Sequence, residues 1–214
     1  LRVTLSGVLC LIFFHIKGQV TIDPVFATEN DSVVITFDAS QGNAALLNQT
    51  QVYAHTGVIT SKSATPTDWK YVQGNWGTVD NKVKMTNIGN NKHQISYRIR
   101  DFYGVPSGET VTRLAFVFRD AAGTNVGRST DGSDIFVNLY TAGLAATFTS
   151  PNQTPSITKQ GNNVSVSVLA SEAANIKLFS NGTLVFEEPS ATTLNYTYTT
   201  PAVGKYELTT EVTK

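Results

Sequence analysis

Apolar and polar residues alternate with a period of two along most of this chain. Val33, Ile35 and Phe37 alternate with Val34, Thr36 and Asp38; Ile95, Tyr97 and Ile99 alternate with Gln94, Ser96, Arg98 and Arg100. Leu114, Phe116 and Phe118 alternate with Arg113, Ala115, Val117 and Arg119. Successive side chains of a strand point to opposite faces, so each run reads as a strand with one face buried. Between the runs lie Gly42-Asn43, Asn87 to Asn91, Val105 to Gly108 and Ala121 to Asn125. These are turn residues, able to take positive φ or to bond their own backbone. No window sustains a helical period beyond the short stretch Ala44 to Gln49. The chain is therefore expected to be all-β, with residues 19–140 forming one antiparallel sandwich.

A second unit is expected over residues 144–214. Val164, Val166 and Val168 form one strand. Ile176 and Leu178 run into an Asn181-Gly182 hairpin turn that leads out through Leu184 and Phe186, and Leu194, Tyr196 and Tyr198 form another. Gly204-Lys205-Tyr206-Glu207-Leu208 resembles the tyrosine corner of immunoglobulin-like sandwiches. The fold class expected is two tandem antiparallel β-sandwiches, immunoglobulin-like. The second module reads as truncated at its C-terminus, because one more strand is expected after Val212.

The N-terminus carries a positive start at Arg2, an apolar run from Leu5 to Phe14, and then Lys17-Gly18. This is the pattern of a secretory signal peptide over residues 1–18, and the run is shorter than the roughly 20 residues of a spanning helix. Cleavage would remove Cys10, the one cysteine, so core packing alone would hold the mature chain. Lys plus Arg and Asp plus Glu number 16 each, and nothing in this balance suggests the clustered positive field that nucleic acid or an anionic membrane requires.

Catalytic chemistry finds no support in the residues. His55 and His93 stand apart from any activated-nucleophile context, and the acids fall mostly in turns. Asp131 to Asp134 reads as a turn rather than a calcium loop, and neither metal nor cofactor is expected. The remaining signal is aromatic. Asp68 to Gly77, DWKYVQGNWG, holds both tryptophans with little apolar company. A sugar ring offers an apolar C–H face and a rim of hydroxyls, and its surface of recognition combines flat aromatic faces with polar donors and acceptors. Trp69, Lys70, Tyr71, Asn75 and Trp76 supply that mixture, with Tyr53 nearby in the sequence. The competing reading is that the indoles plug the end of the core.

The runs Val52 to Thr60, Asp68 to Gly77, Lys84 to Thr86, Phe102 to Gly108, Leu114 to Asp120 and Ser133 to Val137 together carry a resemblance. They resemble the N-terminal accessory region of secreted alpha-amylase-family glycoside hydrolases of Bacteroidetes, with some similarity to starch-binding outer-membrane proteins. The resemblance implies a non-catalytic region that binds or presents alpha-glucan, a catalytic domain in cis beyond Lys214, and a secreted, periplasmic or cell-surface location in a Gram-negative bacterium. It also implies that Trp69, Trp76 and Tyr53 or Tyr71 match the stacking platform of starch-binding sandwiches. A structural spacer docked on a catalytic domain and an adhesin-like surface module remain as alternatives.

Overall fold

The structure, a computed structural model, describes residues 18–151 and 158–214. The expected signal peptide lies outside the described residues apart from Gly18. The strands are β1 (Val20–Asp23), β2 (Ser32–Asp38), β3 (Tyr53–Thr60), β4 (Lys70–Gln73), β5 (Thr86–Gly89), β6 (Lys92–Arg98), β7 (Val111–Arg119), β8 (Val126–Gly127) and β9 (Ile135–Asn138), with one short helix, α1 (Ile99–Tyr103). They form two antiparallel sheets, β1-β2-β6-β5 and β4-β3-β7 with β8 and β9 both paired to β7. The chain is an all-β, sandwich-like protein.

Alternation builds the inner face as expected. Val33, Ile35 and Phe37 of β2 are buried against Leu114, Phe116 and Phe118 of β7. Phe37 and Phe118 stack across the two sheets with centroids 4.0 Å apart. Full burial of each such side chain contributes roughly 1.5–3 kcal/mol. Residues that face one another across an antiparallel pair share a side, so Ala54, Thr56 and Val58 join Phe118, Phe116 and Leu114 on this inner face.

The outer face of the same sheet departs from the sequence reading. His55, Gly57 and Ile59 pair with Val117, Ala115 and Arg113. Ile59, Ala115 and Val117 are buried although they lie outside the inter-sheet cluster. Alternation at Ala115 and Val117 pointed to solvent, but this face is covered by the segment that carries the tryptophans. The period-two run Ile95, Tyr97, Ile99 also stops one residue early. Ile99 opens α1, its N–H bonded to the Asp31 carbonyl at 3.1 Å, and Gly104 closes the helix at φ 69°. The Ala44–Gln49 stretch forms turns rather than a helix.

Four further strands follow: β10 (Ala146–Ser150), β11 (Asn163–Ser180), β12 (Thr183–Thr199) and β13 (Leu208–Thr213). β11 and β12 each run unbroken where the sequence pattern read two pieces. They form one long hairpin through an Asn181-Gly182 turn, both turn residues at positive φ. Ser180 sits at the turn end and Tyr198 at the open end, yet their hydroxyls lie 2.8 Å apart. The hairpin therefore folds across itself, at the register shifts between Leu169 and Ile176. β10 flanks the first half of β11 and β13 the second. Each half is thus a three-stranded layer, and Val166, Val168, Ile176, Leu178 and Leu194 fill the space between. Tyr206 donates its hydroxyl to the Ala202 carbonyl at 3.3 Å, the short upstream bond of a tyrosine corner.

Candidate functional site

The outer face of the β4-β3-β7 sheet is shaped by a glycine. A Cβ at Gly57 would come within 3.2 Å of the Trp69 ring and 3.0 Å of the Lys70 carbonyl. The absent side chain lets Trp69 lie down on the sheet beside Ala115 and Val117. Phe136 of β9 meets Trp69 edge-on at 6.4 Å, and the Arg113 guanidinium covers Phe136 at 4.7 Å. The indole N–H of Trp69 is enclosed without a hydrogen-bond partner among the described residues. Trp69 thus covers the sheet, and its polar edge is shut away from solvent.

Trp76 is held differently. It is 47% exposed, an unusual amount for the largest apolar side chain. His55 stands between the indoles, 6.1 Å from Trp69 and 5.2 Å from Trp76, with its plane at 88° to the Trp76 ring. On its other flank Trp76 rests against Gly123, where a Cβ would approach the indole nitrogen to 2.7 Å. Gly123 has φ 72°, a conformation that disfavours any side chain.

A buried cation fixes the loop that bears Trp76. Arg119 is fully buried, with no carboxylate bonded to it among the described residues. Its guanidinium donates to the carbonyls of Asn75 at 2.6 Å, Thr78 at 2.8 Å, Asp120 at 2.9 Å and Ala121 at 3.2 Å. The Tyr53 ring lies 5.1 Å below it. Four carbonyl dipoles and an aromatic face take the place of a counter-ion. The carbonyls come from the indole loop and from the β7–β8 turn, so one side chain ties the two supports of Trp76 together. Asp120 caps that turn. Burial acts to raise its pKa, but hydrogen bonds from Asn125 and Thr124 outweigh this and hold the carboxyl below its ordinary range.

The six residues singled out from sequence are thus divided. Trp69 and Trp76 meet through His55. Lys70 pairs with Asp68 at 2.9 Å, and Ala64 N–H and Lys70 hold the Asp68 carboxyl below its usual range. Asn75 is exposed beside Trp76; its carbonyl is spent on Arg119, and its side-chain amide bonds nothing among the described residues. Tyr71 packs toward the inter-sheet core and donates to Glu109 at 2.6 Å, a bond that raises its phenol pKa. Tyr53 requires correction. It is fully buried and offers no face to a ligand, because Arg119, its opposite residue on β7, lays its guanidinium over the ring.

Sequence reasoning missed Gly57, Arg119 and Gly123, whereas His55 was legible as a strand-end residue that either packs with one ring nitrogen bonded or lines a ligand surface. The available signal was β3 itself: Ala54, Val58 and Ile59 place apolar groups on both faces, which a strand with one solvated face lacks. The Asp131–Asp134 turn uses its carboxylates internally, Asp131 on Ser133 and Asp134 on Arg128. Among the described residues no three His, Cys, Asp or Glu side chains come together as a metal group, and no helix is long and apolar enough to cross a membrane. A shallow depression of about 420 Å³ lies elsewhere, where Glu29 pairs with Arg100 at 2.6 Å.

These features define an antiparallel β-sandwich with a half-open aromatic cluster on the outer side of one sheet. The profile of a family described as a domain of unknown function, DUF8578, matches residues 20–126, and the chain belongs to that family. The match runs from β1 into β8 and includes His55, both tryptophans, Arg119 and Gly123. No curated protein matches the chain.

Proposed function

We propose that this chain is a non-catalytic carbohydrate-binding region that presents alpha-glucan to a starch-degrading glycoside hydrolase domain of the same polypeptide, outside the cytoplasm. The observation that carries this reading is Trp76, a tryptophan held half open by a dedicated support of Arg119, His55 and Gly123. An indole kept in water at this structural cost suits stacking on the C–H face of a hexose. Asn75 adds a free amide beside it. One exposed indole with one partly covered neighbour makes a small platform. Each ring adds roughly 1 kcal/mol beyond area burial, which fits micromolar to millimolar affinity.

Two substitutions separate the roles. Trp76→Ala removes retention on insoluble starch and leaves the melting temperature nearly unchanged. Trp69→Ala uncovers the sheet and lowers stability by about 2–3 kcal/mol. Retention of Trp76→Ala on starch at the wild-type level rejects the reading.

A second reading, a spacer that docks on a catalytic domain, is favoured by Trp69, whose enclosed N–H and place over Gly57 are those of a packing residue. Under it, maltooligosaccharides leave the tryptophan fluorescence unchanged.

A further inference from the structure

We infer that His55 is a ligand-contacting residue of this surface, its Nε2 accepting a hydrogen bond from a hydroxyl of the sugar stacked on Trp76. The inference rests on the carbohydrate reading given above and deepens it.

The tautomer follows from one contact. His55 Nδ1 lies 2.7 Å from the Gly74 carbonyl oxygen, which can only accept, so Nδ1 carries the proton. In the neutral ring Nε2 then presents a lone pair. Gly74 makes this contact possible. It packs so close to β3 that a Cβ would reach 2.6 Å from the Ala54 carbonyl, and its φ of 90° turns its own carbonyl toward the imidazole. The ring is then fixed on both sides, near parallel to Trp69 at 30° and upright against Trp76 at 88°. Val117, directly opposite it on β7, is buried on the same face of the sheet. Nε2 takes no hydrogen bond among the described residues and is not among the enclosed unpartnered atoms, which include both nitrogens of His93.

A fixed acceptor between two indole walls selects its ligand by chemistry. An apolar ring would leave the acceptor dry and unpaired, which weakens its binding. An anion would meet a lone pair. A neutral polyhydroxylated ring matches both features, with C–H bonds for the indole and an O–H in its rim for the imidazole. His55 therefore distinguishes a hexose from a merely flat apolar ligand, a discrimination that Trp76 alone lacks.

The test compares wild type, Trp76→Ala, His55→Asn and His55→Gln by calorimetric titration with maltoheptaose, with melting temperatures measured alongside. Asparagine keeps a donor near the Nδ1 position for Gly74 but has no group at Nε2; glutamine reaches toward Nε2. Expected is a roughly tenfold rise in Kd for His55→Asn, about the worth of one hydrogen bond, and a smaller rise for His55→Gln. As a check independent of folding, the Nε2 nitrogen resonance of wild-type His55 is followed by NMR and moves on saturation with maltoheptaose. Wild-type affinity in His55→Asn with an unmoved Nε2 resonance, while Trp76→Ala loses binding, overturns the role of His55 and leaves the carbohydrate reading intact. Absence of maltoheptaose binding by the wild type overturns both.

Discussion

Arg119 donates to the carbonyl of Asn75 at 2.6 Å across a separation of 44 residues, and this bond decides where the exposed tryptophan stands. Removing the guanidinium leaves four carbonyls, part-buried where they meet it, without their donor. Arg119→Met is expected to lower stability by about 1–3 kcal/mol, since hydrogen bonds to a charged group contribute roughly 1.5–3 kcal/mol and carbonyls near solvent recover part of the loss. Arg119→Lys recovers only part, because one ammonium cannot span both loops as a planar fork does. Urea denaturation of the two variants checks this order, and equal stability of lysine and arginine forms would show that charge alone suffices.

His93 supplies a pH dependence. It is fully buried on the inner face, and desolvation lowers its pKa, a shift that the nearby Gln49 backbone opposes without cancelling. The unfolded chain thus binds a proton more readily than the folded one, with an ordinary value of about 6.5. Stability is full above that value and is lost as pH falls from it toward the lower folded pKa. Melting temperatures at pH 7 and pH 5 are expected to differ by several degrees in wild type and by less in His93→Leu. Equal slopes would place the titration elsewhere.

Gly57 is the position where a side chain and Trp69 compete for the same space. Gly57→Val is expected to lift the indole from the sheet, cost about 1–3 kcal/mol through overpacking, and shift tryptophan emission to the red. Thermal melts and fluorescence spectra check both parts together, and an unchanged spectrum with native stability would mean that Trp69 does not lie there.

The division between what was legible and what was not follows physical lines. Val33 to Phe37 and Leu114 to Phe118 were legible because one apolar face over a period of two has few other uses. Arg119 fell in the register that reads as solvent-facing, and nothing local reports that a loop forty residues upstream returns to cover it. Ser171, Glu172 and Ala173 interrupt the apolar pattern and split β11 on paper, whereas the strand passes through them with a shifted register. Trp69 and Trp76 were found because tryptophan in a polar segment is conspicuous. Their unequal exposure was set by Gly57 and Gly123, whose importance lies in a missing atom.

The folded-over hairpin makes a separate prediction. Ser180 and Tyr198 hydroxyls bond only if the two halves of β11–β12 face each other. Ser180→Ala and Tyr198→Phe are each expected to cost about 1 kcal/mol, and the double variant less than their sum, by an interaction energy of at least 0.5 kcal/mol. A double-mutant cycle by urea denaturation measures it. Strict additivity would mean an open hairpin.

The chain has two indole N–H groups, and a nitrogen–proton correlation spectrum shows them as two separate signals. Assignment by Trp76→Phe and titration with maltoheptaose asks each residue directly whether it meets sugar. The Trp76 signal is expected to move progressively and saturate, while that of Trp69, enclosed over Gly57, moves little or not at all. Two signals that stay in place at saturating maltoheptaose would contradict the assignment of this surface to carbohydrate.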